Sequence, residues 1–411
     1  MNDIISFLPK MKMGNDILSD LSSLPVYDKN ICCQSEVERL MALSDLYNIY
    51  IPSPMSTEIY CKLYLALVRS LQKKTTSAAT MQRNENSQVM QRQSANGIIG
   101  GSDSFTITGC SGIGKSSAIN RAIDLISANG VIELTEPQTK IIPFVVVQCP
   151  FDSSVKGLLL EILRKVDEKI GSDYYTKGLK NRVTTDMLIG AVSQVALNHI
   201  GLLVVDEIQN VVNNKNGNSL VGMLTQLINS SGISICMVGT PECTSFFEQA
   251  LQLARRSLGL HYNTLEYNQY FYDFCRTVFE YQYTKIKVEL SDSIIQWLYE
   301  HSGGIVSVVI SLLHDAQEIA ILNGKEKLSI DTLNEAYKKR LSLLHNYIEP
   351  TIKRKSQTAT TKKTVNSYTK AVEKSVIDET TISGLVLKAK TECADIVQVL
   401  KKHIQVVEVG I

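Results

Sequence analysis

Residues 109–116 read Gly109-Cys110-Ser111-Gly112-Ile113-Gly114-Lys115-Ser116, and Ser117 follows. Glycines at this spacing let successive backbone N–H groups turn toward one point, and a lysine followed by a hydroxyl completes the loop. Such a loop cradles the phosphates of a nucleoside triphosphate. Lys115 then reaches the β- and γ-phosphates, Ser116 ligates magnesium, and Ser117 sits beside the α-phosphate. The motif demands a strand before it and a helix after it, because the helix N-terminus adds partial positive charge to the amides. Both are present. Phe105–Thr108 is a short β-branched run, and Ile119, Ala122, Ile123 and Ile126 share a helical face that Gly130 closes.

A second constellation follows at Leu202-Leu203-Val204-Val205-Asp206-Glu207. Four apolar residues bury a strand in a sheet, and the acids emerge at its C-terminal end, where open α/β sheets bind ligands. Asp206 is placed to help hold the magnesium, and Glu207 to orient and polarise the attacking water. Met237-Val238-Gly239-Thr240-Pro241 ends a neighbouring apolar strand, so Thr240 is a candidate γ-phosphate sensor; a plain strand-end turn explains it equally well. Arg255 and Arg256 lie too far along the chain to belong to the loop. In a ring or filament one of them can reach a neighbour's nucleotide, where it would stabilise transition-state charge.

These residues need a parallel sheet with helices on both faces, and the pattern provides one. From about 103, apolar β-branched runs (Ile141–Pro150, Gly201–Glu207, Ile233–Thr240) alternate with amphipathic helices, one over 153–171 opened by Asp152 or Ser153 and closed by Gly171. This is an α/β nucleotide-binding domain over 100–264. Residues 265–347 read as successive helices, a small helical lid. Residues 1–71 form a helical N-terminal region in which Val37, Leu40, Leu43, Tyr47 and Tyr50 recur at helical spacing. Residues 72–99 are a polar loop or disordered insert, and 348–411 a basic linker and C-terminal tail.

The chain has 411 residues, enough for two or three domains, and no apolar run long enough to span a membrane. Nine cysteines form no C-x-x-C pair, and six histidines show no ligand spacing, which argues for buried reduced thiols in the cytoplasm and against a metal site of protein ligands alone. The formal charge is +1, with residues 351–411 holding 11 Lys/Arg against 6 Asp/Glu.

Taken together, the glycine loop, LLVVDE, the polar strand tip, the arginine pair and the helical lid resemble the AAA+ superfamily over about 100–347. Within it the chain is similar to the TnsC/TniB-type transposition regulators, through FVVVQCPFDSSVKGLLLEIL, LLVVDEIQNV, VGTPE and LARRSLG, with LPVYDK and YIPSP near the N-terminus. The resemblance implies an AAA+ P-loop fold with a helical lid, ATP and Mg2+ as cofactors, and a homo-oligomeric ring or helical filament on duplex DNA without regard to base sequence. It implies that such an assembly links a target-selector protein to the transposase subunits, and that hydrolysis drives disassembly. The lid departs from the wider superfamily, since SGGIVSVVISLLHDAQ has no Lys or Arg to touch the γ-phosphate from within the subunit. Candidate DNA contacts are Lys177, Lys180, Arg182, Thr184 and Thr185, with Lys353, Arg354, Lys355, Lys362 and Lys363 in the basic segment; a solvated loop or a partner-docking tail explains these equally well. A replication-initiator or helicase-loader-like AAA+ ATPase is one alternative, disfavoured because the last 60 residues are small and lysine-rich for a DNA-reading module. A nucleotide-switched protein scaffold without DNA is another, and a metabolic kinase a poor third.

Overall fold

The computed structural model describes residues 3–74, 76, 78–82, 104–134, 139–180, 183–212, 214–244 and 259–341. A 3-10 turn at Asp3–Phe7 precedes α1 (Asn15–Leu21). A second such turn, Lys29–Cys33, leads to α2 (Glu36–Ala42), a third turn (Leu43–Asn48) and α3 (Pro54–Lys74). The α/β part then runs β1 (Phe105–Gly109), α4 (Lys115–Ile126), β2 (Ile132–Leu134), β3 (Thr139–Gln148), α5 (Val155–Ile170), α6 (Tyr174–Gly178), α7 (Thr185–His199) and β4 (Ile200–Asp206). It continues through a 3-10 turn at Ile208–Val211, α8 (Gly217–Ser231), β5 (Ser234–Gly239) and β6 (Leu260–Tyr262). Helices α9 (Gln269–Phe279), α10 (Asp292–Ser302), α11 (Val306–Leu322) and α12 (Ile330–Arg340) complete the described chain.

The six strands lie in the order β2-β3-β4-β5-β1-β6. All neighbours are parallel except the β2–β3 pair, an antiparallel edge too short for its alternation to show in the sequence. Alternation along the central strands divides the core. Leu203, Val205, Ile235 and Met237 face α5, α7 and α8, whereas Leu202, Val204, Cys236 and Val238 face α3 and α4. Both faces are dry, which is why these strands read as unbroken apolar runs. Cys236 on β5, and Cys149 and Cys243 just beyond the tips of β3 and β5, are buried as small hydrophobes. Burial pushes the Cys149 thiol up to about 12 and that of Cys243 to about 11.

The N-terminal helices have no core of their own. Ile17, Leu21 and the buried face of α3 pack on the sheet, while Leu43 and Leu46 enter the core of the lid. The helix expected to run on through Tyr50 stops at Ala42, and its continuation as a 3-10 turn is what turns Leu43 and Leu46 inward. Val37 and Tyr47, expected on the buried face, are exposed. Arg39 fastens this segment down. It is buried, and it donates to both carboxylate oxygens of Glu326 at 2.6 and 2.8 Å and to the Tyr283 carbonyl at 3.2 Å.

Three further boundaries differ from the sequence pattern. The N-cap of α5 is Ser154, whose Oγ accepts from Gly157 N at 3.1 Å, so the helix opens one residue later than expected. Helix α9 ends at Phe279. Gln282 ties the chain back through bonds to Phe279 and Val288, and Tyr281 and Tyr283 enter the core from non-helical backbone. Helix α3 extends to Lys74, whose buried ammonium donates to the Ala196 and Leu197 carbonyls at the end of α7, and residues 78–82 are helical. The remainder of the expected polar insert, apart from Thr76, and the basic tail lie outside the described residues. Among the described residues no single helix is long and apolar enough to cross a membrane.

Candidate nucleotide site

The strand order sets β1 beside β5 and β5 beside β4, so three strand tips meet at one edge of the sheet. From β1 comes the glycine loop. Gly112 sits at φ +80°, and a Cβ there would collide with Ser307 Oγ, so only glycine fits. Ile113 is buried, and Lys115 starts α4 with its side chain folded under the loop. Its Nζ donates to the Gly109 carbonyl at 2.7 Å and to the Cys110 carbonyl at 2.8 Å. Burial lowers the Lys115 pKa below the ordinary lysine value, and the carboxylates of Asp206 and Glu207 partly counter this.

The tip of β4 supplies the acids. Asp206 Oδ2 accepts from Ser116 Oγ at 3.1 Å, and Asp206 Oδ1 from Glu207 N at 2.8 Å. Ser116 and Asp206 therefore meet as two hard oxygen donors beside the loop, a set that suits magnesium, which keeps several waters and takes one or two carboxylates. Bound there, the ion would neutralise phosphate charge. Glu207 has φ +57°, a left-handed backbone that a non-glycine side chain seldom adopts, and this turns its carboxylate into the cleft.

Gln209, which no spacing rule marks, bridges two strand tips. Its Nε2 donates to the Glu207 carboxylate, and its Oε1 accepts from Thr240 N at 3.3 Å. Thr240 Oγ1 is buried without a hydrogen-bond partner at the tip of β5. These groups line a cleft of about 250 Å³ together with Ser111, Gly114, Ser117 and Gly239. We expect Gln209→Leu to lower kcat for ATP about tenfold, the worth of one charge-assisted hydrogen bond, with ATP affinity within about twofold of wild type. Steady-state turnover with an independent ATP-binding measurement checks it; equal losses in both would make Gln209 structural.

A second cavity, of about 210 Å³, adjoins the first and shares Gly112, Gly114, Ser117 and Ser307 with it. Its walls are mostly apolar. Ile49, Tyr50 and Ile51 come from the N-terminal segment, and Val306 and Ile310 from the lid. A nucleobase suits this space, with the phosphates in the adjoining cleft. The lid meets the glycine loop through a backbone hydrogen bond, Ser307 N donating to the Gly112 carbonyl at 3.0 Å. Of the lid residues, Ser307 alone lines the phosphate cleft, so the cationic contact missing from the sequence has no described substitute.

The geometry thus gathers Lys115, Ser116, Ser117, Asp206, Glu207 and Thr240 in one cleft. Residues 98–247 match the AAA domain family. The chain carries an AAA+ P-loop fold, a mostly parallel sheet covered by helices. No curated protein matches the chain. Solved structures similar to it include the ORC1 protein of Aeropyrum pernix in complex with DNA, at 12% identity and a TM-score of 0.42 over 64% of each chain. Drosophila ORC bound to DNA is similar at 11% identity and TM-score 0.48, over 96% of this chain and 82% of that one. Cdc6p of Pyrobaculum aerophilum is similar at 14% identity and TM-score 0.42, over 57% and 60%. Likeness at this level says nothing of function or partners.

Arg255, Arg256 and Arg182 lie outside the described residues. Among the other candidate DNA contacts, Lys177 pairs with Asp173 at 2.7 Å, and the Thr184 hydroxyl caps α7 by accepting from Met187 N at 3.3 Å. Lys180 and Thr185 are exposed.

Proposed function

We propose that this AAA+ ATPase regulates DNA transposition, assembling as a ring or filament on duplex DNA and linking a target selector to the transposase, with ATP hydrolysis driving disassembly. One observation carries the assembly part of this reading. Among the described residues Lys115 is the single cation lining the phosphate cleft, and the lid brings only a serine. Charge developing on the transferred phosphoryl group needs a further cation. Arg255 or Arg256 of a neighbouring subunit supplies it, so nucleotide and assembly depend on each other. The DNA and transposition parts rest on the resemblance in LLVVDEIQNV, VGTPE and LARRSLG to transposition regulators.

The test is electron microscopy of purified protein with ATP, magnesium and duplexes of two unrelated sequences. Regular rings or filaments are expected on both duplexes, and not without nucleotide. Protein that stays monomeric on duplex DNA at low salt ends the proposal.

A further inference from the structure

Phe151 is 86% exposed, on the loop between β3 and α5. Exposed aromatic rings usually lie on pliable chain, but this loop is held by side chains from the segment that follows β4. Asn210 Nδ2 donates to the Cys149 carbonyl at 2.9 Å, Asn214 Nδ2 to the Phe151 carbonyl at 3.1 Å, and Asn216 Nδ2 to the Asp152 carbonyl at 3.1 Å. Ser153 returns a bond, its Oγ donating to the Asn210 carbonyl at 3.0 Å. Ser153 is fully buried with φ +51°, a backbone state that costs a non-glycine residue energy. Four hydrogen bonds and a strained residue thus keep a large apolar ring in water, where it gains nothing for the fold.

The surroundings of the ring indicate what it meets. A protein interface places its aromatic anchor among other apolar groups. Across residues 149–156 and 207–219, Phe151 is the one exposed large hydrophobic among the described residues. On the same two segments Lys156, Lys215, Asn216, Asn218 and Ser219 are exposed, with Asp152 and Glu207 the exposed acids. Neither lysine makes an ion pair among the described residues. A fixed ring on an edge that also carries two exposed ammonium groups suits a nucleic acid, whose phosphates take the lysines and whose sugars or base edges take the ring.

We propose that this edge, with Phe151 at its centre and Lys156 and Lys215 beside it, is the surface that grips duplex DNA. This rests on the DNA reading above, and moves the contact from residues 177–185 to the β3–α5 edge. The surface also adjoins the hydrolytic acid. The turn that bears Asn210 begins at Glu207, with Asn210 N donating to the Glu207 carbonyl at 3.1 Å, so displacement of the loop bears on the residue that polarises water.

Anisotropy of a labelled duplex, with the full chain, magnesium and a non-hydrolysable ATP analogue, tests the proposal. Phe151→Ala should weaken binding about tenfold, equally on two unrelated sequences, and Phe151→Trp should restore it. The ring is exposed, so the melting temperature should not change, which separates lost contact from lost fold. Lys156→Ala with Lys215→Ala should flatten the plot of log affinity against log salt by about 0.9 per lysine. If wild type binds duplex and all these variants bind it identically with the same salt slope, the assigned surface is wrong while the DNA reading stands. If wild type binds no duplex at low salt, the DNA reading fails and this surface with it.

Discussion

Lys115→Ala should bind ATP at least a hundredfold more weakly than wild type and show no measurable turnover. The lysine ammonium is the single cation lining the phosphate cleft among the described residues, and hydrogen bonds to charged groups contribute about 1.5–3 kcal/mol each. Two such bonds to phosphate oxygens make a hundredfold loss the lower end of the expectation. The ammonium rests on the carbonyls of Gly109 and Cys110. The backbone thus holds it in place before any phosphate arrives, and this preorganisation is what a shorter side chain removes.

The lowered pKa of Lys115 adds a pH dependence whose sign is fixed. The folded protein holds this proton less tightly than the unfolded chain does, so its stability rises as pH climbs from the folded to the unfolded pKa. Phosphates favour the charged form, so ATP affinity falls with rising pH over the same window, which begins below the ordinary lysine range. Removing the buried charge should therefore not lower the melting temperature of the empty protein. Lys115→Met, which keeps the apolar stem, isolates this effect. ATP should raise the melting temperature of wild type and leave both variants unmoved. Either variant titrating with ATP like wild type would mean that the phosphates bind elsewhere.

Glu207→Gln should keep ATP affinity and lose turnover, by about 10²–10⁴-fold, the usual contribution of a positioned general base. The substitution preserves shape and the oxygen that accepts from Gln209, while removing the basicity that polarises water. Its backbone stays in the left-handed region, because the turn at Ile208–Val211 and the hydrogen bond from Asn210 N to the residue 207 carbonyl do not depend on the side chain. Single-turnover hydrolysis with a parallel binding titration separates the two effects. On the assembly reading, this variant forms rings or filaments that persist after ATP is added, where those of wild type disperse. Turnover at the wild-type rate would place the base on another residue.

Much of this site was legible in the sequence because its parts depend on local rules. A phosphate loop needs glycines, a lysine and a hydroxyl within eight consecutive residues, and a buried strand ending in acids is a contiguous pattern, so Lys115, Ser116, Asp206 and Glu207 could be assigned from spacing alone. The parallel sheet followed for the same reason. Strands covered on both faces must be largely apolar, and β3, β4 and β5 each carry such a run while β1 is a short buried β-branched one. The short edges β2 and β6 were missed because three residues carry no period.

Gln209, Ser307 and the apolar cavity could not be read that way. Gln209 matters because β5 lies beside β4, which brings Thr240 within reach of its amide. Ser307 matters because the lid folds back onto Gly112. The cavity exists because Tyr50, Ile113 and Ile310, distant in sequence, line one space. Phe151 stands out only because the asparagines of a later segment hold its loop. The sequence by itself determined which residues form the phosphate-type loop and the acidic strand end, because those groups are local and each has its own signature. The tertiary structure decided where the apolar cavity opens beside the loop, what holds Glu207 and which edge faces outward, because each depends on strand order and lid docking, and these arise from long-range packing that no short segment encodes.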